Sequence, residues 1–161
     1  MVQLPTDRFF LFGMGGRQKY VYQKGKLFML PQWQEAASFP VLKEEFFPDR
    51  YRVELTLTDQ SKVLLAEDEE EFYMELNGHR TPLARGRLVL PDFEPSPYAS
   101  ALRILLHEVL FNIMDGKPLP NLFVYSKPWY RDGAMMAMVL QETGNLDVIR
   151  DWVLSLTECF D

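Results

Sequence analysis

The chain is poor in the residues that most often carry chemistry. Among 161 residues there is one cysteine, Cys159, and there are two histidines, His79 and His107. A lone cysteine excludes an intrachain disulfide, and without a paired base it is a poor nucleophile. No apolar run approaches the roughly 20 residues needed to cross a bilayer, so no membrane-spanning helix and no membrane partner are expected. The start, "MVQLPTDRFFLFG", lacks a basic opening and a sustained apolar stretch, so the expected address is cytoplasmic. Basic charge is also short, with 17 Lys and Arg against 23 Asp and Glu and a net charge of -6. The basic stripe that a phosphate backbone requires is missing, and no nucleic-acid partner is expected.

What is present is the composition of a folded globular chain, 47% hydrophobic and 25% charged. Its first half reads as β structure. "RFFLFGMGG" and "KYVYQKGKLFML" are apolar runs cut by glycines. In "RYRVELTLTDQSKVLLAED", Tyr51, Val53, Leu55 and Leu57 alternate with Arg52, Glu54, Thr56 and Thr58, the period of a strand with one buried face. "TDQS" turns it into a hairpin, and Asn77-Gly78 marks another tight turn. An antiparallel β layer is expected from about Phe9 to Leu90, interrupted by an irregular stretch around Pro31 to Pro48.

The texture changes at "PDFEPSPYAS", whose prolines cannot feed an interior strand. Ser96-Pro97 suits a helix entrance, Leu102, Leu105, Leu106, Val109 and Ile113 form a stripe widened by Ile104 and Leu110, and Gly116 is expected as the C-cap. A second helix is predicted from about Asp132 to Thr143, ended by Gly144, and Asn145 is expected to cap a third, with Leu146, Ile149, Trp152, Val153 and Leu156 inward. "AMMAMVL" is apolar on every side, so the second helix is expected to be surrounded by protein. About three helices supply too few neighbours, which suggests a fragment or an oligomer. The reading is α+β: residues 1–92 an antiparallel β domain, residues 93–161 a helical segment.

Several motifs dissolve on inspection. "GMGGRQ" has Gln18 where a dinucleotide loop needs its third glycine, and turn glycines are the simpler reading. "HEVLF" has Phe111 where a zinc hydrolase needs its second histidine, so His107 reads as a helix side chain bonded to a neighbour. "AEDEEEF" lacks the spaced ligands and central glycine of a calcium loop and reads as a solvated turn or strand edge. Met135, Met136 and Met138 read as core filler, without the further soft ligands of a copper site. No metal site, cofactor or catalytic residue is therefore assigned.

"PWYRDG" resists the bland reading. Asp132 would make an apt N-cap, and Arg131 could pair with it. Trp129 and Tyr130, however, are costly to leave on a loop. An indole stacks on the apolar face of a pyranose, and a guanidinium beside a carboxylate offers fixed partners for its hydroxyls. Trp129, Arg131 and Asp132 are accordingly the candidate substrate-binding residues, facing a carbohydrate ligand.

The stretch "NLFVYSKPWYRDGAMMAMVLQETGNLDVIRDWVLSL" also resembles the opening hairpin of the six-hairpin glycosidases, the glucoamylase-like (α/α)6 toroids. There a W-x-R-D step precedes an inner helix, a following outer helix completes the pair, and a β-rich domain commonly comes first. The resemblance implies that residues 93–161 are the first helices of an α/α toroid of about twelve. It implies that Arg131 and Asp132 bind sugar hydroxyls next to the cleaved bond, with Trp129 as a wall. The family's general acid and base are carboxylates on later helices, so it implies carbohydrate binding without catalysis by this chain alone, and the remaining helices of a parent protein, or a self-association partner, as neighbours. The alternative is a non-enzymatic β/α assembly or interaction module in which the Trp-Tyr-Arg-Asp step only caps a helix.

Overall fold

A computed structural model of the chain describes residues 7–156. Cys159 lies outside them. The first sheet is an antiparallel meander of β1 (Phe9–Phe12), β2 (Tyr20–Gln23), β3 (Lys26–Met29) and β4 (Gln34–Ser38). The second runs through β5 (Val41–Phe47), β6 (Arg52–Leu57), β7 (Lys62–Glu67), β8 (Glu71–Leu76) and β9 (His79–Arg85), again each strand antiparallel to the next. Alternation dictates the pairing of β6 with β7: Val53, Leu55 and Leu57 are buried, and the register sets Val53 opposite Leu65 and Leu55 opposite Val63. Asn77 and Gly78 both take positive φ, 51° and 79°, and close β8 onto β9 in the two-residue turn that their sequence predicts.

Residues 31 to 48, expected to be irregular, instead contain β4 and β5. Pro31, Pro40 and Pro48 stand between strands rather than inside them, so none of the three removes a ladder donor within a strand. Phe10, Phe12, Tyr20, Tyr22 and Leu27 from the first sheet share one cluster with Val53, Leu55, Val63, Leu65 and Phe72 from the second, and the Phe12 and Phe72 rings stack at 4.4 Å.

The helical part is α1 (Ala99–Phe111), a short hairpin of β10 (Ile113–Met114) and β11 (Lys117–Pro118), α2 (Tyr130–Glu142), a 3-10 turn (Leu146–Ile149) and α3 (Arg150–Ser155). With the two antiparallel sheets it makes an α+β chain. Helix and sheet are not separately cored. Met14, Tyr51 and Leu88 pack with Leu106, Leu110, Leu140, Ile149 and Trp152, while Val21 and Leu30 pack with Phe111, Leu119, Leu122 and Phe123.

Three helix expectations are corrected. Ser96 does not cap α1: Tyr98 holds the cap position, and the Ser96 hydroxyl accepts the Tyr98 amide, 3.1 Å, in the turn before it. Gly116 is not the C-cap, because the helix ends at Phe111 and Gly116, with φ 69°, makes the β10–β11 turn. Leu105 is exposed; the buried line of α1 is Leu106, His107, Leu110 and Phe111.

Helix α2 is also less enclosed than its composition suggests. Gly133 and Leu140 are buried and Met136 and Ala137 are half-buried, yet Met135 is 66% and Met138 68% exposed. Alanine and methionine occupy both faces, so hydrophobicity alone could not tell the packed side from the open one. No helix among the described residues is long and apolar enough to cross a membrane.

Candidate functional site

The loop from Leu119 to Trp129 leads to the aromatic residues singled out from the sequence, Trp129 at its end and Tyr130 at the start of α2. Its inner residues, Leu119, Leu122 and Phe123, are buried against Phe111 of α1. Asn112, at the end of α1, accepts the Leu122 amide at 2.8 Å, and Asn121 accepts the Phe123 and Val124 amides at 3.0 and 2.9 Å. These two side chains fold the loop back, as asparagines do at turns. The Tyr125 amide then donates to the Asn121 carbonyl at 2.9 Å, and from this point the loop's side chains are exposed.

Trp129 is 50% exposed and extended, with φ -119° and ψ 130°, and it holds the cap position of α2 without a side-chain cap bond. Asp132 is therefore not the N-cap. It lies in the first helical turn, where the positive end of the helix dipole still favours a carboxylate. Tyr125 stands edge-on to Trp129, ring centroids 6.1 Å apart at 65°, and Tyr130 follows exposed. Arg131 Nη2 reaches Asp132 Oδ2 at 3.4 Å, with the Arg131 side chain 78% exposed and that of Asp132 30%. A pair so open to water adds little stability. What it does offer is a donor fork and an acceptor beside an aromatic surface.

Trp129, Arg131 and Asp132 thus follow one another across the start of α2, Trp129 and Arg131 exposed and Asp132 half-buried. They do not line the cavity of about 580 Å³, which is walled by the loop Gly16 to Lys19, by Leu30 to Gln32, by Ile113 to Asp115, and by Leu119, Leu122 and Ser126. Ser126 follows Tyr125 directly, so this cavity and the aromatic corner share one loop.

A second polar cluster, absent from the sequence reading, lies beneath the loop between β1 and β2. The Gly13 and Met14 amides donate to Glu67 Oε1, each at 2.9 Å, and Arg17 Nη1 donates to the same oxygen at 3.2 Å. Arg17 also donates to the carbonyls of Gly86 and Asp68. Lys19 Nζ donates to the Gly13 carbonyl and, at 2.7 Å, to that of Gly15. Gly13, with φ 106°, and Gly15, with φ 62°, are turn glycines as expected, and their carbonyls solvate a buried ammonium. Burial pulls the Lys19 pKa down to about 7, against the pull of the Glu67 carboxylate.

The run "AEDEEEF" is corrected in part: Glu67 is buried, and only Asp68 to Glu70 form the solvated turn. The signal was present in the strand period. Val63 and Leu65 face inward, and two residues further the same face reaches Glu67. Nothing comparable marked Arg17 or Lys19, because loop residues carry no period. Among the described residues, no group of three or more His, Cys, Asp and Glu side chains could hold a metal ion. No family model, curated protein or solved structure matches the chain.

Proposed function

We propose that the chain is the carbohydrate-binding portion of a glycoside hydrolase-like protein, in which Trp129, Arg131 and Asp132 bind a sugar and catalysis is supplied from outside this chain. The observation that carries this reading is the exposed Tyr125–Trp129 edge contact beside the Arg131–Asp132 pair. Indole supplies the stacking surface, guanidinium donates to sugar hydroxyls, and carboxylate accepts from them. The open Met135 and Met138 side of α2 suits the further helices of a toroid, and a cytoplasmic address belongs to the same reading.

Isothermal titration with a panel of neutral oligosaccharides tests it. Wild type binds, and Arg131→Ala weakens binding roughly ten- to hundredfold, the loss of a hydrogen bond to a charged group. Equal binding by both proteins, or none by wild type, removes the assignment.

The same open face of α2 favours a second reading, a non-enzymatic β/α interaction module. Asp132→Asn separates the two in that titration. A purely structural Asp132 leaves sugar binding untouched, whereas a ligand loses affinity without a matching fall in melting temperature.

A further inference from the structure

Glu67 and His107 meet where β7, α1 and the β1–β2 loop converge. Glu67 Oε1 takes three N–H donors, but Oε2 has no hydrogen-bond partner in the protein. His107 Nε2 is buried and also without a partner, and the two orphaned atoms lie 3.9 Å apart. That gap is about an ångström longer than a direct bond, and a water bonded to both atoms at about 2.8 Å would have to close its angle to about 90°, tighter than its tetrahedral preference. Two facing acceptors shut away from water repel, and a single proton turns them into a donor and an acceptor.

We propose that Glu67 and His107 hold one proton between them, Oε2–H donating to Nε2, and that this proton is a latch fastening α1 to β7 and, through the loop amides on Glu67 Oε1, to the β1–β2 loop. One backbone bond ties the loop to α1, from the Gly15 amide to the Leu110 carbonyl at 2.8 Å, beside the packing of Met14 on Leu106 and Leu110, so the latch and that bond act on the same junction.

The environment assigns the proton to oxygen. Burial pushes the Glu67 carboxyl up from 4.5, although Arg17, the Met14 and Gly13 amides and Lys19 oppose the rise. Burial pushes the His107 imidazole down from 6.5 to about 4, against its bond to the Leu11 backbone. In the unfolded chain the order is reversed, so folding moves the pair's proton from imidazole to carboxyl. The folded state holds this proton at pH values where an unfolded glutamate has lost it. The latch is therefore closed on the acid side and released as pH rises through the raised Glu67 value.

The other groups around the pair act on it from separate elements. Arg17 and Lys19 press on Glu67 from the loop, Asp115 acts on Lys19, and Asp68 adjoins Glu67 while holding Arg80. The Tyr51 ring, its hydroxyl pKa raised to about 12 by burial, stacks on the imidazole at 5.7 Å. Comparing wild type with a variant changed only at His107 cancels their contributions.

Hydrogen exchange of the Gly15 amide, corrected for intrinsic rate and followed against pH, reads the latch. In wild type, protection falls about three- to tenfold as the proton leaves, the range of one lost hydrogen bond. In His107→Gln the side-chain amide donates to Oε2 without titrating, and protection of Gly15 stays level. An equal fall in both proteins, or a level profile in both, overturns the proposal. Imidazole nitrogen shifts of the wild type give a second reading that needs no variant. A neutral His107 at about pH 6 is expected, and an imidazolium there overturns the latch.

Discussion

Gly133 has no side chain because Trp152 occupies the place where one would be. A Cβ there would stand 2.8 Å from Trp152 Cζ2, closer still to Cη2, and 3.1 Å from Pro118 Cγ. This glycine therefore serves a close approach between α2, α3 and β11 rather than an unusual backbone angle. Alanine would gain up to about 1 kcal/mol in helix propensity. It would also force apart an indole and a proline ring that are both held in packed surroundings, at about 1–3 kcal/mol. Overpacking wins, so Gly133→Ala is expected to lower the melting temperature by several degrees in a thermal scan, at roughly 2–4 °C per kcal/mol for a chain of this size. An unchanged or higher melting temperature would mean that Trp152 shifts freely. The sequence step "RDG" carried no hint of this, since the contact joins residues 19 positions apart.

At the scale of elements, the helices are joined to the β part by a few polar clips as well as by apolar clusters. Asn145 follows Gly144, which ends α2 with φ 75°. Its side chain was expected to cap the next helix, but it makes no cap bond there. Instead Nδ2 donates to the Val89 carbonyl and Oδ1 accepts the Val89 amide, both at 2.8 Å, so one buried amide pairs with the backbone as a neighbouring strand would. Asn145→Ala leaves both Val89 groups without these partners and is expected to cost about 1–3 kcal/mol. Urea denaturation should register this as a lower midpoint with unchanged slope. A loss below about 0.5 kcal/mol would show that water replaces the clip.

The elements themselves were largely readable, because β6 alternates cleanly and α2 and the turns around it have strong punctuation. Their faces were less so: the exposed side of α2 is written in alanine and methionine, like its buried side. The aromatic corner was legible because Trp129 and Arg131 stand out locally. The Glu67 cluster was not, since it gathers residues from three separate segments.

For the whole molecule, the buried charges lie where the apolar clusters come together, so they bear on global stability. Phe12 and Met14, on either side of Gly13, belong to different clusters, and Lys19 is followed by Tyr20 in one cluster and Val21 in another. A buried lysine with a pKa lowered from 10.5 to about 7 has a defined effect on unfolding. Between these two values the unfolded chain binds a proton that the folded chain does not, and rising pH removes that advantage. Lys19 therefore makes stability increase from pH 7 to 10.5, by at most about 1.4 kcal/mol per pH unit. Lys19→Met removes the titration while keeping a long side chain, although it strips the Gly13 and Gly15 carbonyls of their donor. The test is the difference between the two proteins, from urea denaturation at a series of pH values, in which contributions common to both cancel. Wild type is expected to gain on the variant steadily above pH 7. Parallel profiles would mean that Lys19 keeps its proton in the folded state, and that the glycine carbonyls and Glu67 stabilise the ammonium fully against its burial.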